Sequence, residues 1–121
     1  MRIRMNLEES GIDLETGLER FGDNEELFIK LLRKFPGDLS YQTLIQALRE
    51  EDYQEAFKAA HTLKGVAANL SLTSLCGILN PYVEALRNLQ IERATELFEQ
   101  VKDTYQKTIQ AINSLEEEKW K

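Results

Sequence analysis

The spacing of apolar residues restricts this chain to helical folds. Near the end of the sequence, apolar and small side chains recur every three or four residues, at Ile91, Ala94, Phe98, Val101, Tyr105, Thr108, Ile112 and Leu115. This period places them on one face of an α-helix. The other long segments show the same period, and none alternates as a strand does. The sequence therefore predicts an all-α fold.

Capping residues predict where the first helices begin and end. Asp13 is expected to cap a short helix that closes at Gly22, and a capping box from Asp23 to Glu26 is expected to open the second helix. Pro36-Gly37 should break that helix before a further helical stretch to about Glu50. The predicted inward residues are Leu27, Phe28, Leu31, Leu32, Phe35, Leu44, Ile45 and Leu48.

Similar signals divide the second half of the chain. A capping box that begins at Asp52 opens a helix that should end near Asn69, and Ser71 is expected to cap the next one. Pro81 lies inside that next helix and should bend it, and Asn88 should end it. Its predicted inward residues are Leu72, Leu75, Leu79, Val83 and Leu86.

Long helices joined by short connections imply an antiparallel four-helix bundle with a short additional N-terminal helix. The length of 121 residues suits one domain. We expect that domain to span residues 1–121, with its core from about 13 to 115 and a charged tail, 116–121, that frays.

Composition excludes several classes of function. The formal net charge is −6 and no basic cluster is present, so binding to nucleic acid or to an anionic membrane is not expected. No apolar stretch is long enough to span a bilayer, and the first residues lack the apolar core of a secretory signal. The one cysteine, Cys76, cannot form an internal disulfide. We expect a cytoplasmic monomer.

The one histidine, His61, is predicted to face away from the core. At about 100° per residue, the helix that contains it buries a stripe far from the imidazole. That stripe comprises Ala56, Ala60, Leu63, Ala67 and Leu70. Lys64 follows His61 by three residues and can reach a group attached to the ring. Gly65 costs about 1 kcal/mol relative to alanine inside a helix, which suggests that side-chain bulk there would obstruct something. Ala68 extends the cleared surface, and Phe57 is either misplaced core or part of a docking patch.

Other kinds of site find less support. A lone surface histidine is often a solvated side chain without a role, and a di-metal bundle needs inward Glu-x-x-His pairs that this chain lacks. Cys76 has no histidine nearby in sequence and is expected to be a small core residue. No glycine-rich phosphate loop is present, so ATP binding is not expected.

The segment His61-Thr62-Leu63-Lys64-Gly65-Val66-Ala67-Ala68-Asn69-Leu70 resembles the signature of the histidine-containing phosphotransfer (HPt) domain. The resemblance extends from about Asp13 to Leu115. Its further matches are Gly17-Leu18, Phe21-Gly22-Asp23, Leu31, Leu32, Phe35, Asp52, Glu84 and Arg87.

This resemblance implies a phosphoryl carrier without ATP-dependent kinase activity of its own. His61 would accept a phosphoryl group from the aspartyl phosphate of one receiver domain and pass it to the aspartate of another. Lys64 would stabilise the group, and Gly65 would leave room for it. The implied partners are response-regulator receiver domains and a hybrid sensor histidine kinase. Mg²⁺ would belong to the receiver, so the chain itself needs neither metal nor cofactor. The residues expected to surround His61 in a docking patch are Gln54, Phe57, Lys58 and Ala68.

Two departures and two alternatives accompany this interpretation. Ser71 stands where the family usually has glycine, and Pro81 is also atypical. The same bundle could serve as an interaction module that is never phosphorylated. It could also be the dimerising domain of a sensor kinase, but that type usually has an acid directly after its histidine, and here Thr62 follows.

Overall fold

The computed structural model describes residues 7–117, which form helices and turns without a β-strand. The all-α fold class is thus confirmed. The helices are α1 (Leu14–Arg20), α2 (Glu25–Lys34), α3 (Ser40–Arg49), α4 (Tyr53–Asn69), α5 (Thr73–Arg87) and α6 (Ile91–Glu117), with a 3₁₀ turn at Phe35–Gly37. That turn follows from Pro36-Gly37, where the sequence predicts a break.

An antiparallel bundle forms because short turns join α3, α4, α5 and α6. Successive members of this series pack against each other, while α2 packs along α6 and α1 packs on α2. Fully buried side chains from α2 to α6 meet in one hydrophobic core. The central ones are Phe28, Leu32, Leu44, Leu63, Leu75, Leu79, Val83 and Val101. No helix among the described residues is long and apolar enough to cross a membrane.

The start of α2 differs from the prediction by one residue. Asn24, not Asp23, is the N-cap, and its side-chain oxygen accepts a hydrogen bond from the Leu27 backbone N–H at 3.0 Å. The reason lies in the preceding turn, where Gly22 and Asp23 both take positive φ values, 62° and 61°. Asp23 is therefore in the left-handed region, whereas an N-cap residue takes a negative φ, as Asn24 does with a φ of −83°.

The inward face of α2 also differs from the prediction. Leu27 is 40% exposed, whereas Ile29 is buried. These two residues lie on opposite sides of the line through Phe28 and Leu32, and the bundle covers the side of Ile29. The sequence pattern correctly predicts that Phe28 and Leu32 are buried, but it does not show which flank of this line the other helices cover.

The connection from α4 to α5 corrects a second predicted cap. Asp52 caps α4 as expected, and its carboxylate accepts from the Glu55 N–H at 3.1 Å. Ser71, however, is not the cap of α5: it is 4% exposed, its φ is 57°, and the N-cap is Leu72 without a side-chain bond. The positive φ is the conformation that favours glycine, the usual residue here in the family that the sequence resembles.

Tertiary contacts replace the missing cap at α5. The Gly11 carbonyl accepts from the Ser74 N–H at 3.1 Å and from the Thr73 hydroxyl at 2.7 Å, while the Ser71 carbonyl accepts from the Asp13 N–H. The helix then continues through Pro81 to its predicted end at Asn88. The bend expected at Pro81 stays a prediction. Of the tail expected to fray, residues 118–121 lie outside the described residues.

Candidate functional site

His61 lies in the middle of α4 and is exposed to solvent. The opposite face of the helix is fully buried, at Ala56, Ala60, Leu63 and Ala67. The small alanine side chains let α4 pack closely between α3 and α5, which fixes the direction in which the imidazole projects. The orientation predicted from the helical period is thus confirmed.

An aromatic and a cation flank the imidazole. The Phe57 ring lies one turn before His61, with ring centroids 5.9 Å apart and planes tilted by 46°. The Arg87 guanidinium from α5 lies 4.9 Å from the centroid of the Phe57 ring. Arg87 also pairs with Glu84, with 3.3 Å between Nε and Oε2. Phe57 is half-buried and packs on the core, so it joins the hydrophobic core to the surface around His61.

Two lysines lie one helical turn before and after His61. Lys58 is exposed, and Lys64 is half-buried. The Lys64 ammonium donates a hydrogen bond to the Asn80 side-chain oxygen on α5, at 3.0 Å. Because an ammonium has donors only, the amide oxygen of Asn80 must face it. The acidic chain therefore places positive charge on both sides of its one imidazole.

The surface beyond Lys64 lacks side-chain bulk. A Cβ placed on Gly65 or on Gly77 would meet nothing within 4 Å among the neighbouring described residues. Ala68 lies one turn after Lys64 and is exposed. Gly77 lies one turn before Asn80 on the same face of α5, and Asn80 contacts Lys64. We call Gly65, Ala68 and Gly77 the open shelf.

The remaining predicted docking residues lie on the N-terminal side of His61. Gln54 and Lys58 are exposed on the face of α4 that carries the imidazole. Cys76, expected to be a small core residue, is half-buried on α5. Among residues 7–117, no group of three or more His, Cys, Asp and Glu side chains is arranged to hold a metal ion.

Sequence reasoning missed the contribution of α5. The sequence by itself does not mark Gly77 or Asn80 as site residues, and it points to Glu84 and Arg87 only through the family resemblance. The four residues recur at spacings of three and four, so they share one face of α5. That pattern could have marked a polar face, but only the packing of α5 on α4 brings it beside His61.

The arrangement suits attack by nitrogen on an anionic group presented by another macromolecule. The imidazole lies on open surface, cations lie on either side of it, and the shelf leaves space for a bulky partner to approach. Positive charge close to a transferred dianion strengthens the hydrogen bonds that hold it.

A comparison with models of known protein families finds a match, which covers most of the bundle. The sequence model described as the Hpt domain matches residues 37–113, from the turn before α3 into the last part of α6. The matched range contains His61, Lys64, Asn80 and the whole open shelf. Comparisons with curated proteins and with solved structures find no significant match.

Proposed function

This chain belongs to the Hpt domain family, whose members carry phosphoryl groups on histidine in phosphorelays, and we propose that its carrier residue is His61. The observation that supports this role most directly is the exposed imidazole between Lys58 and Lys64 on α4. No other histidine is present in the chain. The proposed partners are receiver domains, one that donates the phosphoryl group and one that accepts it.

The proposed transfer is an exchange between two protein side chains. A nitrogen of His61, which we propose to be Nε2, attacks the phosphorus of the partner's aspartyl phosphate. The N–P bond forms while the acyl P–O bond breaks, and the partner's aspartate leaves as a carboxylate. Transfer to a second receiver reverses these steps. Mg²⁺ would be held by the receiver.

Each neighbour of His61 has a proposed part in this exchange. Lys64 neutralises part of the charge on the transferred group, and its removal should slow transfer or shorten the life of the phosphorylated form. The open shelf admits the partner to in-line distance, which matters because reaction requires closely placed atoms. Gln54, Phe57, Lys58 and Ala68 are proposed as docking contacts around the imidazole.

The decisive experiment compares wild type with His61→Gln. Both proteins are mixed with receiver domains encoded in the same genome, each phosphorylated beforehand, and uptake is followed with labelled phosphate. We expect acid-labile, alkali-stable label on wild type alone, as phosphohistidine requires. Circular dichroism should show the same helical fold for both proteins, since residue 61 is exposed.

Measuring receiver binding beside uptake, for the same two proteins, tests the alternative of an unphosphorylated interaction module. If His61→Gln binds a receiver as wild type does, and neither protein takes up label from any receiver, the carrier proposal is wrong and the module is favoured. Uptake of label by the variant would place the acceptor elsewhere. A solution mass near 14.0 kDa would exclude the dimerising sensor domain.

A further inference from the structure

We propose that Asn80 is a positioning residue for Lys64, and that it orients the ammonium beside His61 without neutralising its charge. This inference rests on the proposed carrier function. Its basis is the hydrogen bond of 3.0 Å from Lys64 Nζ on α4 to Asn80 Oδ1 on α5.

The chemistry of the acceptor is what makes this contact useful. A lysine ammonium has three donors at the end of a long flexible side chain. If nothing holds that side chain beforehand, it loses conformational entropy when it contacts a phosphoryl group. The amide oxygen of Asn80 is neutral and occupies one donor. Two donors and the whole positive charge of Lys64 stay available for an incoming phosphoryl group. An aspartate in place of Asn80 would hold the ammonium more tightly but would neutralise it.

The backbone that carries Asn80 is firmly held. Leu79 before it is fully buried, and Tyr82 after the Asn80–Pro81 step is 1% exposed. Pro81 has a fixed φ, which removes one backbone freedom beside Asn80. The acceptor is therefore attached to a rigid part of α5, and only the short asparagine side chain needs to be ordered.

The arrangement of charge on α5 also leaves Lys64 unneutralised. Glu84, one turn beyond Asn80, is the acid on this face of α5, and its carboxylate pairs with Arg87 at 3.3 Å. Arg87 in turn lies over the Phe57 ring. The negative charge on this face is thus held beside a different cation, while Lys64 meets a neutral oxygen.

The test is a double-mutant cycle with Asn80→Ala and Lys64→Met, read as the rate of phosphoryl uptake from a phosphorylated receiver domain. Asn80→Ala should slow uptake about two- to tenfold, the equivalent of one net hydrogen bond. Lys64→Met should slow it more, by about 10- to 100-fold. In the Lys64→Met background, Asn80→Ala should have no further effect, because the group that it positions is gone.

Asn80→Asp separates orientation from charge. It preserves the contact with Lys64 but neutralises the ammonium, so uptake should fall further than in Asn80→Ala. Asn113→Ala provides the matched control, since Asn113 is also an exposed asparagine within a helix, on α6. It should leave uptake unchanged. Melting temperatures of the Asn80 and Asn113 variants should stay close to that of wild type, because both residues are exposed.

Each outcome supports or overturns the inference. Equal uptake by wild type, Asn80→Ala and Asn80→Asp overturns it while the carrier function stands. An equal loss from Asn80→Ala in both backgrounds also overturns it, because Asn80 would then act without Lys64. If wild type takes up no label from any receiver, the proposed function fails, and the role of Asn80 fails with it.

Discussion

Gly17 and Gly65 both lie inside helices, but their surroundings are opposite. A Cβ on Gly17 would overlap the Phe28 ring, which packs across α1 and stacks on Phe21 with centroids 5.6 Å apart. A Cβ on Gly65 would meet no neighbour among the described residues within 4 Å. The contact between α1 and α2 requires the first glycine. Nothing in the packing of α4 requires the second.

This difference separates the part of the molecule that maintains the fold from the part that we propose meets a partner. A glycine inside a helix costs about 1 kcal/mol relative to alanine. At Gly17 the close approach of an aromatic ring offsets that cost. At Gly65 no neighbour among the described residues offsets that cost, and we propose that a docking partner accounts for the open shelf.

The largest expected effect comes from filling the shelf. Gly65→Arg should lower phosphoryl uptake from a receiver domain by about 100-fold, because a partner displaced by even about 1 Å loses in-line geometry. Stopped-flow or quench measurements of labelled uptake would give the rate. Circular dichroism should show an intact helical fold, and Gly65→Ala, which adds a single methyl group, provides the milder control. An unchanged rate for Gly65→Arg would refute the argument from the open shelf.

The next prediction is that replacing glycine by alanine changes the free energy of unfolding in opposite directions at Gly17 and Gly65. Gly17→Ala should lower the free energy of unfolding by about 1–3 kcal/mol, because the methyl group would press on the Phe28 ring. Gly65→Ala should raise it by up to about 1 kcal/mol, since alanine is the better helix former and meets no neighbour. Urea titrations of both variants would give the two values.

A companion variant tests the cause of that loss. Phe28→Leu removes the ring, so in its background Gly17→Ala should cost less than it does in wild type. Destabilisation by Gly65→Ala of the same size as by Gly17→Ala would remove the distinction between the two regions.

The smallest expected effect is a dependence on pH at the start of α1. Hydrogen bonds from Thr16, first from its backbone N–H and then from its hydroxyl, lower the pKa of Asp13 below its ordinary value. A lowered pKa in the folded state means that the carboxylate stabilises the fold above its unfolded pKa. This contribution is lost as the pH falls through the folded pKa.

Asp13→Asn keeps a capping side chain but removes the charge. Wild type should therefore melt slightly higher than the variant at about pH 7, and the difference should shrink below about pH 4. Melting curves by circular dichroism across that range provide the measurement. A difference that stays constant with pH would argue against the charge. Phosphoryl uptake should be the same for both proteins, because Asp13 belongs to the region that maintains the fold.

Capping residues predict a helix end correctly where no tertiary contact determines the conformation of the adjoining turn. Asp13 and Asp52 are N-caps as expected, and α4 ends at Asn69. The errors at Asp23 and Ser71 share a cause: both residues take positive φ values within turns. Whether a polar residue caps a helix or occupies a turn depends on the direction of the segment that follows it. At Ser71 the segment around Gly11 and Ile12 determines that direction, through its contacts with Leu72 and Ser74.

The period of α4 was sufficient by itself to place one half of the candidate site. His61, Lys64, Gly65 and Ala68 share an outward face because side chains on one helix repeat every 3.6 residues or so, whatever the helix packs against. Which residues of α5 would lie opposite them was decided only by the tertiary structure. The contacts from Lys64 to Asn80 and from Phe57 to Arg87 depend on how far one helix slides along the other. That register is set by the core side chains of both helices acting together, and no single segment encodes it.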